Sequence, residues 1–200
     1  MLLHALLPVS RANGPGLRAV VFFQGCVLHC PGCWNPETHA VRGTDVTVSD
    51  VVERVMEAHS RELLEGVTFS GGEPMHQAVA LAELMAQIRR ADAGLSFGMF
   101  TGYRESELEA GAYFIRGVAA AERKAKLWQS VRVFLDFAVV GRYDREAPST
   151  APLRTSRNQR LVLFTDRYRE SSVEPQLIEV NIAAGGGTVV TGFPVRGIPA

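Results

Sequence analysis

An α/β fold, built as a mostly parallel sheet covered by helices and curled into an open, partial β/α barrel, is what this sequence predicts. Three observations carry the prediction. Short apolar runs alternate with amphipathic ones along much of the chain. Several of those runs end in Gly-rich or polar turns, the carboxyl-end positions where open sheets and barrels collect their ligands. The length of 200 residues, with 46% hydrophobic and 21% charged residues, suits one domain around a continuous core.

Taken in order, Leu2 to Val9 and Leu17 to Phe23 read as strands parted by the turn residues Asn13-Gly14-Pro15-Gly16. Thr47 to Leu64 repeats Val48, Val51, Val52, Val55 and Met56 at helical spacing, with Ser49 or Thr47 as cap and Gly66 as stop. Val67-Thr68-Phe69 is a short buried strand. A second helix follows over Gln77 to Arg90, its inner face drawn from Val79, Leu81, Leu84, Met85 and Ile88. Leu95 to Phe100 is the next strand, and 105–110 and 118–129 read as helices. Val131 to Val140 reads as an apolar strand interrupted by Asp136, then 141–159 as a long polar loop and Arg160 to Phe164 as a strand. Leu177 to Ile182 and Thr188 to Thr191, flanking Gly185-Gly186-Gly187, close the chain as a hairpin. The expected division is therefore N-terminal strands over 1–25, a core over 26–164 and a hairpin extension over 165–200.

Charge excludes several partners. Lys plus Arg and Asp plus Glu both number 21, so no net charge favours nucleic acid or an anionic membrane. No apolar run approaches the ~20 residues of a membrane span. Met1 to Val9 lacks a basic leader and meets Pro8 too early for a signal peptide, which points to the cytoplasm.

All three cysteines fall in Cys26-Val-Leu-His-Cys30-Pro-Gly-Cys33. An odd count in one cluster suits a reducing compartment and not a disulfide scaffold. Pro31-Gly32 turns the loop so that the later sulfurs converge. Three thiolates are one short of the usual set for a cubane iron-sulfur cluster and leave one iron open to another ligand. The rival is structural zinc, with His29 or His39 completing a Cys3His tetrahedron. Downstream, Ser70-Gly71-Gly72-Glu73-Pro74 either forms a simple turn or lets backbone approach a ligand whose ammonium group Glu73 holds.

On these residues the chain resembles the radical S-adenosylmethionine enzymes, whose signature is the Cys-x3-Cys-x2-Cys loop followed by Gly-Gly-Glu. Within that superfamily it is similar to the short activating enzymes of glycyl-radical proteins, above all those of anaerobic ribonucleoside-triphosphate reductase. The likeness extends over Asn13-Gly14-Pro15-Gly16 with Arg18, Gly25 to Thr38, Phe69 to Pro74, Phe100 to Tyr103, Gly141-Arg142-Tyr143, and Leu153-Arg154 with Asn158-Gln159-Arg160.

The resemblance implies a [4Fe-4S] cluster on Cys26, Cys30 and Cys33, with S-adenosylmethionine on the fourth iron. One electron, from a donor such as flavodoxin or ferredoxin, would split the cofactor into methionine and a 5′-deoxyadenosyl radical, which would take hydrogen from a partner's glycine Cα. It further implies that Gly71, Gly72 and Glu73 meet the amino group, that Gly32 and Trp34 contact the cofactor unless Trp34 only shields the cluster, and that Thr101 and Gly102 touch the nucleoside unless they only form a turn. Asp136, a charge in an apolar strand, needs a partner, either a ribose hydroxyl or a neighbouring Arg. Arg154, Arg157, Asn158 and Gln159 read as a solvated surface or as contacts to cofactor or partner; His29 and His76 read as ordinary histidines near the site.

The chain departs from reductase activators at Val140, where Asp is frequent, and at Glu73, where Gly-Gly-Asp is frequent. These departures barely touch the cluster and cofactor but leave the partner open; the competing functions are radical chemistry on a peptide or small molecule, and a zinc- or iron-sulfur-binding module without catalysis.

Overall fold

The computed structural model describes residues 1–173, 178–182 and 188–193. Its main sheet has seven strands, β1 (Leu2–Ser10), β2 (Arg18–Phe23), β3 (Thr44–Asp45), β4 (Gly66–Gly71), β5 (Ser96–Thr101), β6 (Phe137–Val140) and β7 (Arg160–Leu163), in the order β3-β1-β2-β4-β5-β6-β7. The central four, β2, β4, β5 and β6, run parallel, whereas β1, β3 and β7 pair antiparallel at the flanks. The carboxyl ends of the parallel strands consequently point the same way, and the loops that follow them meet on one rim of the sheet.

Helix α1 (Val48–Glu62) starts where a capping box dictates: the Thr47 hydroxyl accepts from the Asp50 N–H at 3.1 Å, and the Asp50 carboxylate accepts from the Thr47 N–H at 3.2 Å. It ends at Leu63, which adopts a left-handed φ of +51°, while Gly66 already opens β4. Helix α2 (Ala78–Ala91) buries Leu81, Leu84, Met85 and Ile88 against the sheet. Val79 is not on that face; it is exposed, one residue out of register with the buried stripe. Helices α3 (Glu105–Glu109) and α4 (Ala121–Arg132) fill the crossover to β6, with Trp128 and Val131 turned inward. Between sheet and helices, Phe69, Phe97 and Met99 join the buried faces of α1, α2 and α4 in one core. Truncating one such residue, for example Leu84→Ala, costs about 2–5 kcal/mol.

The run from Val131 to Val140 is corrected. α4 continues to Arg132, residues 133–136 form the connection, and only Phe137–Val140 is strand. A short apolar run carries no period that separates a buried helical turn from a buried strand. The two-residue edge strand β3 escaped the sequence because so short a pairing leaves no pattern. Two further strands, β8 (Ile178–Ile182) and β9 (Thr188–Gly192), pair antiparallel in a separate sheet, giving the expected hairpin. Leu177 and Gly185 to Gly187 lie outside the described residues.

The amino end of the parallel strands is locked by Arg18. Its guanidinium is fully buried and donates to the Thr68 and Ser96 hydroxyls at 2.8 Å and to the Pro15 carbonyl at 3.0 Å. It also lies 5.2 Å from the Phe137 ring centroid. One side chain thus ties β2, β4 and β5 at the end opposite the converging loops. Among the described residues no helix is long and apolar enough to cross a membrane.

Candidate metal centre and cofactor cavity

The cysteine loop leaves the carboxyl end of β2 and folds on itself. The Gly25 N–H donates to Thr38 O at 2.8 Å, the Cys26 N–H to His39 O at 3.2 Å, and the Cys33 N–H to Cys30 O at 3.1 Å. The Gln24 amide braces the loop from beneath, donating to the carbonyls of Glu37 at 3.1 Å and Ala40 at 2.8 Å. Cys26 is buried and Cys30 and Cys33 are half-buried; all are free thiols, and all line one cavity of about 510 Å³. Burial pushes the Cys26 thiol up to about 11 and raises that of Cys33. Metal loading must displace these protons.

Three thiols on one loop are the donor set that a cubane cluster with one open iron requires. Among the described residues no group of three or more His, Cys, Asp or Glu is drawn close enough to hold a single metal ion. A structural zinc needs its ligands on one centre, whereas a cluster sets each thiolate on a different iron. His29 and His39 face each other instead, their Nδ1 atoms 3.3 Å apart.

Gly71 and Gly72 line the same cavity. At Gly71, with φ +95°, a Cβ would come within 2.6 Å of the Phe23 nitrogen, and at Gly72 within 2.6 Å of the Gly25 carbonyl oxygen. Only glycine allows β4 to press its end against the start of the cysteine loop. The contact is fastened by the Gly72 N–H donating to Phe23 O at 2.8 Å and the Glu73 N–H donating to Gly25 O at 3.0 Å.

The Glu73 carboxylate, also on the cavity wall, is almost completely buried and takes three donors: the Met75 N–H at 3.0 Å, the Thr101 hydroxyl at 2.8 Å and the Gly102 N–H at 2.8 Å. Burial pushes it up to about 7 even though all three donors pull the other way. Thr101 and Gly102 both line the cavity and are both hydrogen-bonded to Glu73.

Trp34 stands half-exposed on the cavity wall, its ring 6.1 Å from that of Tyr143. Gly32 does not line the cavity; with φ +70° it makes the turn between the second and third cysteines, beneath the Arg145 side chain. Asp136 is at the wrong end of the sheet. It precedes β6, and its carboxylate accepts from the Phe97 N–H at 2.9 Å and the Thr165 hydroxyl at 2.8 Å. Its hydrogen-bond partners are thus a backbone amide and a threonine, while its charge also acts on the guanidinium groups of Arg18 and Arg167. The sequence position misled because the strand begins after this residue, not before it.

Of the polar knot before β7, Gln159 alone reaches the cavity wall; Arg154 pairs with Glu170, and the Asn158 amide donates to Arg142 O at 2.7 Å. His76 is buried, and burial lowers it to about 4. The Tyr103 hydroxyl accepts from the Phe114 N–H at 3.1 Å and shares a 2.9 Å hydrogen bond with His76 Nε2, which bolts the residues after Glu73 to those after Thr101. Sequence reasoning gave no site role to Tyr143 or to the hairpin residues Val180 and Val190, all on the cavity wall. Tyr143 belongs to the Gly141-Arg142-Tyr143 match but carried no role there, and nothing local marks Val180 and Val190, which only long-range packing brings to the cavity.

The family described as "4Fe-4S single cluster domain" matches residues 12–162. The chain is 32% identical over 111 residues to the anaerobic ribonucleoside-triphosphate reductase-activating protein of Escherichia coli K12, covering 54% of this chain and 72% of that protein. It is 25% identical over 163 residues to the protein of the same name from Enterobacteria phage T4, covering 80% and 93% respectively. It is also 36% identical over 91 residues to the pyruvate formate-lyase-activating enzyme of Staphylococcus aureus, covering 44% of this chain and 36% of that enzyme. With its cysteine loop and glycine turn joined on one cavity and its sequence aligned to these relatives, the chain belongs to the 4Fe-4S radical S-adenosylmethionine enzymes that activate glycyl-radical proteins.

Proposed function

We propose that this protein reductively cleaves S-adenosylmethionine at a [4Fe-4S] cluster and leaves a radical on a glycine of anaerobic ribonucleoside-triphosphate reductase. One observation carries the reading: the three cysteines, Gly71-Gly72-Glu73 and Thr101-Gly102 line one cavity at the carboxyl ends of β2, β4 and β5. Relatives named for reductase activation align over 72% and 93% of their own length, against 36% for the formate-lyase activator, which favours the reductase as partner.

Cys26, Cys30 and Cys33 would hold the cluster, one iron apiece, leaving the fourth iron to the methionine end of S-adenosylmethionine. The bound pair supplies one-electron cleavage of the sulfonium and abstraction of hydrogen from the partner's glycine; the protein binds, orients and excludes water. Gly71 and Gly72, whose missing Cβ atoms let β4 close against the cysteine loop, would bring their backbone and the Glu73 carboxylate to the cavity wall, where the carboxylate provides negative charge for the cofactor's ammonium. Thr101 and Gly102 border the nucleoside. Trp34, with Tyr143, covers the rim. The sheet is read as an open, partial barrel in a single cytoplasmic domain, served by a flavodoxin or ferredoxin.

The test is anaerobic reconstitution with iron and sulfide, followed by S-adenosylmethionine and dithionite. A brown protein that releases 5′-deoxyadenosine is expected, with both properties lost in Cys30→Ala. Release of deoxyadenosine by Cys30→Ala at the parental rate overturns the cluster assignment.

A further inference from the structure

The matched family region ends at residue 162, and the β8–β9 hairpin lies beyond it. Cross-strand pairing sets Glu179 against Thr191 and Val180 against Val190, and successive residues of a strand face opposite ways. The Glu179 and Thr191 face is anchored. The Glu179 carboxylate accepts from the Ser10 hydroxyl and the Arg11 N–H, and the Asn13 amide donates to the Thr191 hydroxyl at 2.9 Å. Phe193 adds a ring contact with Phe100, centroids 5.8 Å apart. The hairpin is therefore seated across the β1–β2 turn and the end of β5.

Its other face carries Ile178, Val180, Ile182 and Val190. Ile178, Val180 and Val190 line the cavity, yet Val180 is 57% and Val190 64% exposed, and Ile182, one step further out, is 74% exposed. An apolar ramp thus runs along β8 from the cavity wall out to Ile182, where Thr188 stands opposite on β9. Among the described residues neither β8 nor β9 pairs with a third strand, and an unpaired strand edge presents backbone donors and acceptors. β-branched side chains beside an open edge suit an extended polypeptide, which binds by main-chain pairing and apolar contacts.

We propose that this face of the hairpin is the docking surface for the extended, glycine-bearing segment of the partner protein. The proposal rests on the function given above, in which the reacting group belongs to a protein and must enter the cavity whose wall Val180 and Val190 help to form. A glycine segment has no side chain at the reacting carbon, so neighbouring residues and backbone must hold it, and the ramp offers both contacts.

The experiment compares the full reconstituted chain with Ile182→Asp, Ile182→Ser and the conservative Ile182→Val. Three readouts are taken: thermal melting, deoxyadenosine release without partner, and glycyl radical by electron paramagnetic resonance on the same organism's anaerobic ribonucleotide reductase. Expected are unchanged melting and release in all three, a radical yield reduced about tenfold in Ile182→Asp at sub-saturating reductase, and recovery as reductase is raised. Ile182→Ser should fall between and Ile182→Val should match the parent. Parental radical yield in Ile182→Asp and Ile182→Ser overturns the docking surface while leaving the function intact. A loss that excess reductase does not relieve also overturns it. Deoxyadenosine without any radical on the reductase from the unaltered chain defeats the reductase reading and the docking proposal together.

Discussion

The Thr101 hydroxyl at the end of β5 donates a 2.8 Å hydrogen bond to the buried Glu73 carboxylate just after β4, so the two strand ends that frame the cavity share one fastening. Removing the carboxylate in Glu73→Ala leaves the buried Met75 N–H and the half-buried Gly102 N–H without their acceptor, at roughly 1–3 kcal/mol. We expect that loss in urea unfolding, together with about tenfold weaker S-adenosylmethionine binding from the missing charge and the loosened glycine turn. Iron content after reconstitution should be unchanged. Parental affinity in Glu73→Ala would show that the turn holds the ammonium through backbone alone.

The same carboxyl sets a pH dependence. Its value in the fold is about 7 against an ordinary 4.5, so between these limits the folded chain holds more protons than the unfolded one. Glu73 therefore makes the cofactor-free protein lose stability as pH rises from about 4.5 to about 7, with no further change above. An ammonium bound beside it favours the ionised form, so cofactor binding should release protons below about pH 7 and tighten as pH rises to that value. Calorimetry in two buffers of different ionisation heat measures the release. No proton release near pH 6 would separate Glu73 from the ammonium.

Asp136 offers the opposite case. Asp136→Ala leaves the buried Phe97 N–H unpaired, and a loss of roughly 1–3 kcal/mol is expected. Because the side chain lies at the amino end of β6, away from the cavity, S-adenosylmethionine affinity should stay within twofold of the parent. Weaker binding at equal stability would return Asp136 to the site.

Leu63 caps α1 in a left-handed conformation, φ +51°, with its side chain 80% exposed. Such backbone costs a branched residue on the order of 1 kcal/mol, and little apolar burial is lost on truncation. Leu63→Gly is expected to raise the melting temperature by roughly 2–4 °C, read by circular dichroism. A lowered melting temperature would mean that glycine's added freedom in the unfolded chain outweighs the relief of strain.

What the sequence by itself determined was local: the thiol spacing from Cys26 to Cys33, the glycines that let β4 end against Gly25, the Thr47 cap and the apolar stripe of α2. Each depends on neighbours a few residues away, and turn chemistry, capping and periodicity act over that range. Tertiary structure decided which end of the sheet each residue reached. It moved Asp136 to the amino end because the helix preceding it ran longer than its apolar pattern revealed. It joined Thr101 to Glu73 through strand pairing across 28 positions. It also carried Val180 and Val190 to the cavity wall from beyond the matched family region. Pairing over such separations is set by the shape of the whole core, which no short stretch of the chain contains.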